Sequence, residues 1–228
     1  MAPFPGARTK RILVIAPHAD DEVLGCGGTL AVAAGRGAEV TLVVTAMGGI
    51  KHCHLETAAR AADRMAEMEA AARLLGIART RVLFPGKDMQ LESVPMLEMV
   101  TAMDDVLAEP YDECYLPEPS HNLDHRRTHE AVLSALRPSG RCSPGLVATY
   151  EGTVCGWPSP AGPGGKLYVD VAATLETKVA ALYEYRSQVR SYPHPTSEEA
   201  VRRLAAMRGL ECGLGFAERF HVLRMVRT

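Results

Sequence analysis

Residues 12–30 read ILVIAPHADDEVLGCGGTL, and this stretch decides the fold. It begins with a continuous apolar, largely β-branched run at 12–16, which is typical of a strand buried on both faces of a sheet. A polar loop at 17–21 follows, and the apolar spacing from Glu22 onward predicts a helix that extends to Arg36. A buried strand that leads directly into a helix is the first half of a βαβ unit.

The same alternation of short apolar strands and longer helices continues along the chain. Further strands are predicted at 40–45, 81–84, 113–116, 146–150, 166–171 and 220–225. Helices are predicted at 55–75, 94–107, 125–136, 173–186 and 197–210, with a loop rich in Gly and Pro at 152–165. This order predicts one α/β domain over residues 1–228, with a Rossmann-like, mostly parallel sheet and helices on both faces.

Composition excludes several classes of protein. The 228 residues are 47% hydrophobic and 23% charged, which is ordinary for a globular domain. The 25 basic and 27 acidic side chains nearly balance, so the chain lacks the basic excess that binding to nucleic acid needs. No apolar run approaches the roughly 20 residues of a membrane span. Nucleic acid and membrane are therefore not expected as partners, and the sequence leaves open whether chains form a homo-oligomer.

The six cysteines include no C-x-x-C pair, and the N-terminal MAPFPGARTK has no secretory apolar core. A disulfide framework is not expected, because a framework of this kind belongs to small secreted domains. We expect a cytoplasmic protein.

Two short segments concentrate side chains that can bind a metal ion. Residues 17–22 follow the first predicted strand and contain His18, Asp20 and Asp21, and residues 121–125 follow the fourth strand. Ligands and catalytic groups gather at the carboxyl ends of parallel strands. We therefore expect these two segments, about a hundred residues apart in sequence, to meet in one crevice.

Two imidazoles and one carboxylate are a common ligand set for catalytic zinc, which keeps an open position for water. Zinc lowers the pKa of that water to about 7, and a second carboxylate then takes its proton. The adjacent pair Asp20 and Asp21 can supply one ligand and one base, because neighbouring residues of an extended turn point in different directions. The alternative is that either aspartate only caps the helix that begins near Glu22. Taken together with the second segment, the residues favour a metal site.

The same residues resemble the signature of the LmbE-like, or PIG-L, family of zinc-dependent N-deacetylases. The family pattern P-H-P-D-D-E, followed by a Gly-Gly pair, is similar to PHADDEVLGCGG at 17–28, with Ala19 in place of proline. The resemblance extends along the chain to RMAE at 64–67, FPGKD at 84–88, DHR at 124–126 and ERF at 218–220.

This resemblance implies a metal site and a catalytic base. His18, Asp21 and His125 would hold one zinc ion per chain, and Asp20 would be the general base. Glu22 is expected to orient the loop rather than to take part in the chemistry. Iron or cobalt could bind to the same ligands, since site geometry and metal availability determine which metal is bound more than raw affinity does.

The resemblance also implies that Arg64 and Asp88 bind the substrate. The alternative for Arg64 is a solvated helix residue paired with Glu67, three positions later.

One position departs from the pattern of many family members, which carry a helper histidine three residues before the second metal-binding histidine. Here that position is Asn122, and the nearest histidine is His121. We take His121 as the catalytic helper and Asn122 as a substrate-binding residue whose amide could also donate to the oxyanion. His129, one helical turn beyond His125, is a third candidate for the helper.

The activity implied is removal of an N-acetyl group from an N-acetylglucosamine-type sugar or glycoconjugate. Two alternatives are an amidase that acts on thiol S-conjugates and a non-catalytic sugar-binding protein with a degenerate site. A Rossmann-type dehydrogenase is disfavoured because the glycines at 25–28 lack the G-x-G-x-x-G spacing. The cluster KHCH at 51–54 is interpreted as a solvated or substrate-facing loop rather than a second zinc site.

Overall fold

A computed structural model describes residues 8–49, 60–138, 143–152 and 165–227. The KHCH cluster at 51–54 and the start of the predicted helix 55–75 lie outside these ranges. The predicted loop 152–165 is also outside them, except for its two end residues. No helix within the described ranges is both long enough and apolar enough to cross a membrane.

The described residues form seven strands, six α-helices and one 3₁₀ turn, Leu91–Ser93. The strands are β1 Arg11–Ala16, β2 Glu39–Met47, β3 Arg79–Pro85, β4 Glu113–Pro117, β5 Leu146–Tyr150, β6 Gly165–Asp170 and β7 Ala217–Met225. The helices are α1 Asp21–Gly35, α2 Ala61–Leu75, α3 Met96–Val106, α4 Leu123–Ala135, α5 Leu175–Glu184 and α6 Glu198–Cys212.

All seven strands belong to one sheet with the order β3-β2-β1-β4-β5-β7-β6. Strands β1 to β5 are parallel, whereas β7 is antiparallel to β5 and β6 is antiparallel to β7. The prediction of a mostly parallel sheet is confirmed. The chain order reverses between the neighbouring strands β1 and β4, and such a switch point opens a crevice at the carboxyl ends of the strands. The two predicted site segments follow these two strands.

Helices cover both faces of the sheet, as predicted. Helices α1, α2, α5 and α6 pack on one face, and α3 and α4 pack on the other. The first core contains Leu30, Met68, Leu182 and Val201. The second contains Leu13, Met99, Met103 and Val132. Strand β1 contributes alternate side chains to each core, which explains why its sequence is a continuous apolar run.

Helix α1 is interrupted, which the sequence did not predict. Cys26 has φ −146° and ψ 15°, so the helix consists of two pieces. The backbone N–H groups of residues 28–29 donate to the Glu218 carboxylate at 2.9 and 2.7 Å. The ammonium group of Lys178 donates to the Glu218 carboxylate at 2.6 Å and to the carbonyl of Leu24, in the first piece of α1, at 2.9 Å. This buried pair satisfies the backbone groups that the break exposes.

Candidate metal centre

The turn between β1 and α1 brings His18 and Asp21 together. The Nδ1 atom of His18 lies 3.4 Å from Oδ2 of Asp21, and the backbone N–H of His18 donates to the same oxygen at 3.0 Å. Both residues are buried. Asp21 is the first residue of α1, where the partial positive charge of the helix end favours a carboxylate.

The start of α4 supplies the third predicted ligand. The Asn122 side chain caps this helix, because its Oδ1 accepts from the backbone N–H groups of Asp124 and His125 at 2.9 and 3.4 Å. The cap orients the first turn of α4 so that Nε2 of His125 lies 3.2 Å from Oδ2 of Asp21. Asn122 therefore has a structural role that the sequence prediction of substrate binding did not include.

The geometry of these three residues fits a zinc ion. Donor atoms of His18, Asp21 and His125 all lie within 4.8 Å of one another. Two ligands bound tetrahedrally at about 2.1 Å are separated by about 3.4 Å, and the two His–Asp distances are 3.4 and 3.2 Å. The structure thus brings together the three residues that the sequence predicted to bind the metal.

Asp124 also contacts the centre, although no role was predicted for it from the sequence. Its Oδ2 accepts from Nε2 of His18 at 3.0 Å, and its Oδ1 accepts from the backbone N–H of Leu91 at 3.0 Å. This bond fixes the proton of His18 on Nε2 and leaves Nδ1 for a metal ion, an arrangement typical of zinc-binding histidines. The available signal was the position of Asp124 directly before His125.

The electrostatics of the two adjacent aspartates differ. Burial raises the pKa of Asp21, but His125 and His18 outweigh this effect and hold the pKa well below its ordinary value. The pKa of Asp20 is raised well above its ordinary value by burial and by the neighbouring carboxylates of Asp21 and Glu22. One carboxylate therefore remains ionised as a ligand while the other readily accepts a proton.

The pKa of His18 is also perturbed. Burial lowers it, but the hydrogen bonds with Asp124 and Asp21 raise it to about 9. The carboxylates of Asp124 and Asp21 stabilise positive charge on the His18 ring, and they would also stabilise a metal cation bound beside it.

Asp20 precedes α1 and has an unusual backbone. Its φ is 125° and its ψ is −25°, in a region that residues other than glycine rarely adopt. Its side chain makes no capping hydrogen bond to α1, so the alternative of a helix cap fails for this residue. The backbone N–H of Asp20 instead donates to the Glu22 carboxylate at 3.1 Å. This contact agrees with the expectation that Glu22 orients the loop.

Arg64 and Asp88 form a buried ion pair beside the centre. Arg64 is only 1% exposed and also donates to the carbonyls of Gly48 and Ala19, at 3.3 and 3.4 Å. The alternative of a solvated Arg64 paired with Glu67 is therefore wrong. Asp88 also approaches the centre, with its Oδ1 3.7 Å from Nε2 of His18. Contact of this pair with substrate stays a prediction.

The three candidates for the helper occupy different environments. His121 lies one residue before the cap of α4 and is exposed. The Nδ1 atom of His129 is hydrogen-bonded to the carbonyl of Pro117 at 2.9 Å, so this ring is held by the end of β4. The capping bonds of Asn122 use its Oδ1 and not its amide nitrogen. The choice of His121 stays a prediction.

The family assignment follows from comparison with known proteins. Residues 13–136 match the family model described as PIG-L, GlcNAc-PI de-N-acetylase, and this segment is more than half of the chain. The protein belongs to the PIG-L family, which confirms the resemblance drawn from the sequence.

Known relatives and solved structures extend the comparison. The N,N'-diacetylchitobiose deacetylase from Pyrococcus horikoshii is 26% identical with a TM-score of 0.76, over 94% of this chain and 84% of that one. The conserved protein TT1542 from Thermus thermophilus is also 26% identical, with a TM-score of 0.73, over 95% of this chain and 96% of that one.

A third relative matches over a shorter stretch. The 1D-myo-inositol 2-acetamido-2-deoxy-alpha-D-glucopyranoside deacetylase of Salinispora arenicola (strain CNS-205) is 37% identical over 83 residues. The match covers 32% of this chain and 27% of that relative, so the chain spans about a quarter of the relative's length.

Proposed function

We propose that this protein is a zinc-dependent hydrolase that removes the N-acetyl group from an N-acetylglucosamine-type sugar or glycoconjugate. The observation that carries the proposal is the convergence of His18, Asp21 and His125 beside Asp20, a further carboxylate with a raised pKa. Two of the compared proteins are named as deacetylases of acetamido sugars, which supports the same substrate class.

Different residues have different roles in the proposed amide hydrolysis. A bound zinc ion supplies Lewis acidity, which lowers the pKa of water and polarises an acyl carbonyl. Asp20 takes the proton of the attacking water as that water adds to the acyl carbon, and it can return this proton to the departing amine. Burial and the neighbouring carboxylates raise the pKa of Asp20, so it matches this role better than an ordinary aspartate does. His121, or the amide of Asn122, donates to the oxyanion of the tetrahedral intermediate.

The structure weakens the argument for a non-catalytic sugar-binding protein. That alternative depended on Asn122 standing where many family members have a histidine. Because Asn122 caps α4 and orients the turn that carries His125, its presence has a structural reason that is compatible with an intact metal site.

The proposal is tested by comparing Asp20→Ala with His18→Ala. We expect the wild-type protein to hold about one zinc ion per chain and to release acetate from at least one member of a panel of acetamido sugars. Asp20→Ala should keep the zinc but lose about 10²- to 10⁴-fold in kcat, since it removes only the general base. His18→Ala should lose both the zinc and the activity.

Metal analysis and mass spectrometry of the products measure these outcomes, and a thiol S-conjugate in the same panel tests the amidase alternative. Full activity of Asp20→Ala would remove Asp20 from the mechanism. A zinc-loaded wild-type protein that hydrolyses no acetamido sugar would refute the proposed activity.

A further inference from the structure

We propose that Tyr185 is a positioning residue for Asp20. Tyr185 acts through Glu22, which holds the backbone of Asp20 in its unusual conformation. This inference rests on the proposed function, in which Asp20 is the general base. The three residues form a chain of contacts from the end of α5 to the loop before α1.

The backbone of Asp20 decides where its carboxylate points. Asp21, the next residue, is held by His18 and His125, so rotation about the Asp20 backbone changes the direction of one carboxylate relative to the other. The φ of 125° is unfavourable for an aspartate and persists only when surrounding contacts enforce it. The contacts available are a carbonyl that accepts from Leu24 N–H at 2.9 Å and an N–H that donates to Glu22 at 3.1 Å.

Glu22 is fully buried and uses both of its oxygens. Oε2 accepts from the backbone N–H of Asp20, and Oε1 accepts from the hydroxyl of Tyr185. A buried carboxylate needs hydrogen-bond donors to remain in place. Among the described residues, the hydroxyl of Tyr185 is the side-chain donor to Glu22. It therefore fixes the orientation of the Glu22 carboxylate, which accepts the hydrogen bond from the Asp20 N–H.

Tyr185 is itself rigidly placed. It directly follows α5, is 1% exposed and belongs to the core that α1, α2 and α5 share. The segment after it is tied to α2, because Ser187 donates to the Glu67 carboxylate through its N–H and its hydroxyl, at 2.9 and 2.6 Å. Burial and the adjacent Glu22 raise the pKa of Tyr185 well above its ordinary value, so the hydroxyl keeps the proton that it donates.

The test compares Tyr185→Phe with Tyr150→Phe. Both tyrosines are fully buried in the same core, but the hydroxyl of Tyr150 donates to the carbonyl of Ile15, at 2.9 Å, whereas the hydroxyl of Tyr185 donates to Glu22. Tyr185→Phe should lower kcat by about 10- to 100-fold, because small misplacements of a catalytic group have effects of this size. The KM and the zinc content should be unchanged, and Tyr150→Phe should keep the kcat of the wild type.

A second measurement does not depend on activity. In the metal-free protein, the exchange rate of the Asp20 amide hydrogen, followed by NMR, should increase in Tyr185→Phe and stay unchanged in Tyr150→Phe. An unchanged Asp20 amide, or a Tyr185→Phe kcat within twofold of the Tyr150→Phe value, would overturn the inference. If the wild type hydrolysed no acetamido sugar, the proposed function would fail, and the amide exchange alone would decide whether Tyr185 holds Asp20.

Discussion

At the scale of single residues, the two ring nitrogens of His18 have different partners. Nδ1 lies 3.4 Å from Oδ2 of Asp21, while Nε2 bonds to Asp124 at 3.0 Å. A carboxylate in the position of Asp124 fixes the orientation of the ring and increases its basicity as a ligand. The strength of metal binding therefore depends on a residue outside the ligand set.

This arrangement predicts that Asp124→Ala weakens zinc binding by about 10- to 100-fold while the three ligands stay in place. Competition with a chelating dye measures the affinity. Asp124→Asn is the matched variant, and it should lose less affinity because its amide oxygen can still accept from Nε2 of His18. Wild-type affinity in Asp124→Ala would contradict the role given to this bond.

Two polar clusters that follow buried strands predicted a metal site, and the resemblance to the PIG-L family implied which three residues are its ligands. The sequence could not predict the long-range hydrogen bonds that orient the residues of the site. The bond from Asp124 to His18 spans 106 positions, and the bond from Tyr185 to Glu22 spans 163. The resemblance implied a substrate-binding role for Arg64 and Asp88, but nothing in the local sequence shows that the two side chains form a buried ion pair.

At the scale of elements, the glycines of α1 are required by what packs against the helix. A Cβ at Gly25 would lie 2.1 Å from the ring of Tyr150, and a Cβ at Gly28 would lie 2.7 Å from Val171. Gly35, at the exposed end of the same helix, has no atom within 4 Å of such a Cβ. The absence of a side chain at the first two positions therefore allows α1 to pack closely against its neighbours.

We therefore expect Gly25→Ala and Gly35→Ala to have opposite effects. Gly25→Ala should lower the free energy of unfolding by about 1–3 kcal/mol, since the buried ring of Tyr150 must shift. Gly35→Ala should leave it unchanged or raise it by up to about 1 kcal/mol, because alanine favours the helix. Urea unfolding of both variants measures the difference. Equal stability of the two would contradict the packing argument.

The bounds of most elements could be predicted to within a few residues, because apolar periodicity reports them directly. The break in α1 could not be predicted, since it depends on Lys178 and Glu218, which approach from α5 and β7. The directions of β6 and β7 were equally inaccessible. Their short apolar runs are similar to those of β1 to β5, and only the pairing in the folded sheet shows that β7 runs antiparallel to both of its neighbours, β5 and β6.

At the scale of the whole molecule, the candidate metal centre exists only because the sheet is ordered as it is. His18 and Asp21 follow β1, and His125 lies in the first turn of α4 after β4. Strands β1 and β4 are neighbours in the sheet, although more than 90 residues separate them along the chain. An unfolded chain does not bring these ligands together, so a metal ion that needs all three binds the native state selectively.

Metal binding should therefore raise the stability of the entire chain. At a free zinc concentration of 100 times Kd, the expected stabilisation is about 2.7 kcal/mol, which for a chain of this size corresponds to a rise in Tm of about 5–11 °C. Thermal unfolding of zinc-loaded and chelator-treated protein measures the shift. His125→Ala is the control and should show little or no shift, because it keeps the fold but loses the ligand that α4 contributes. Equal Tm values for the loaded and chelated wild type would mean that the two segments do not form one metal site.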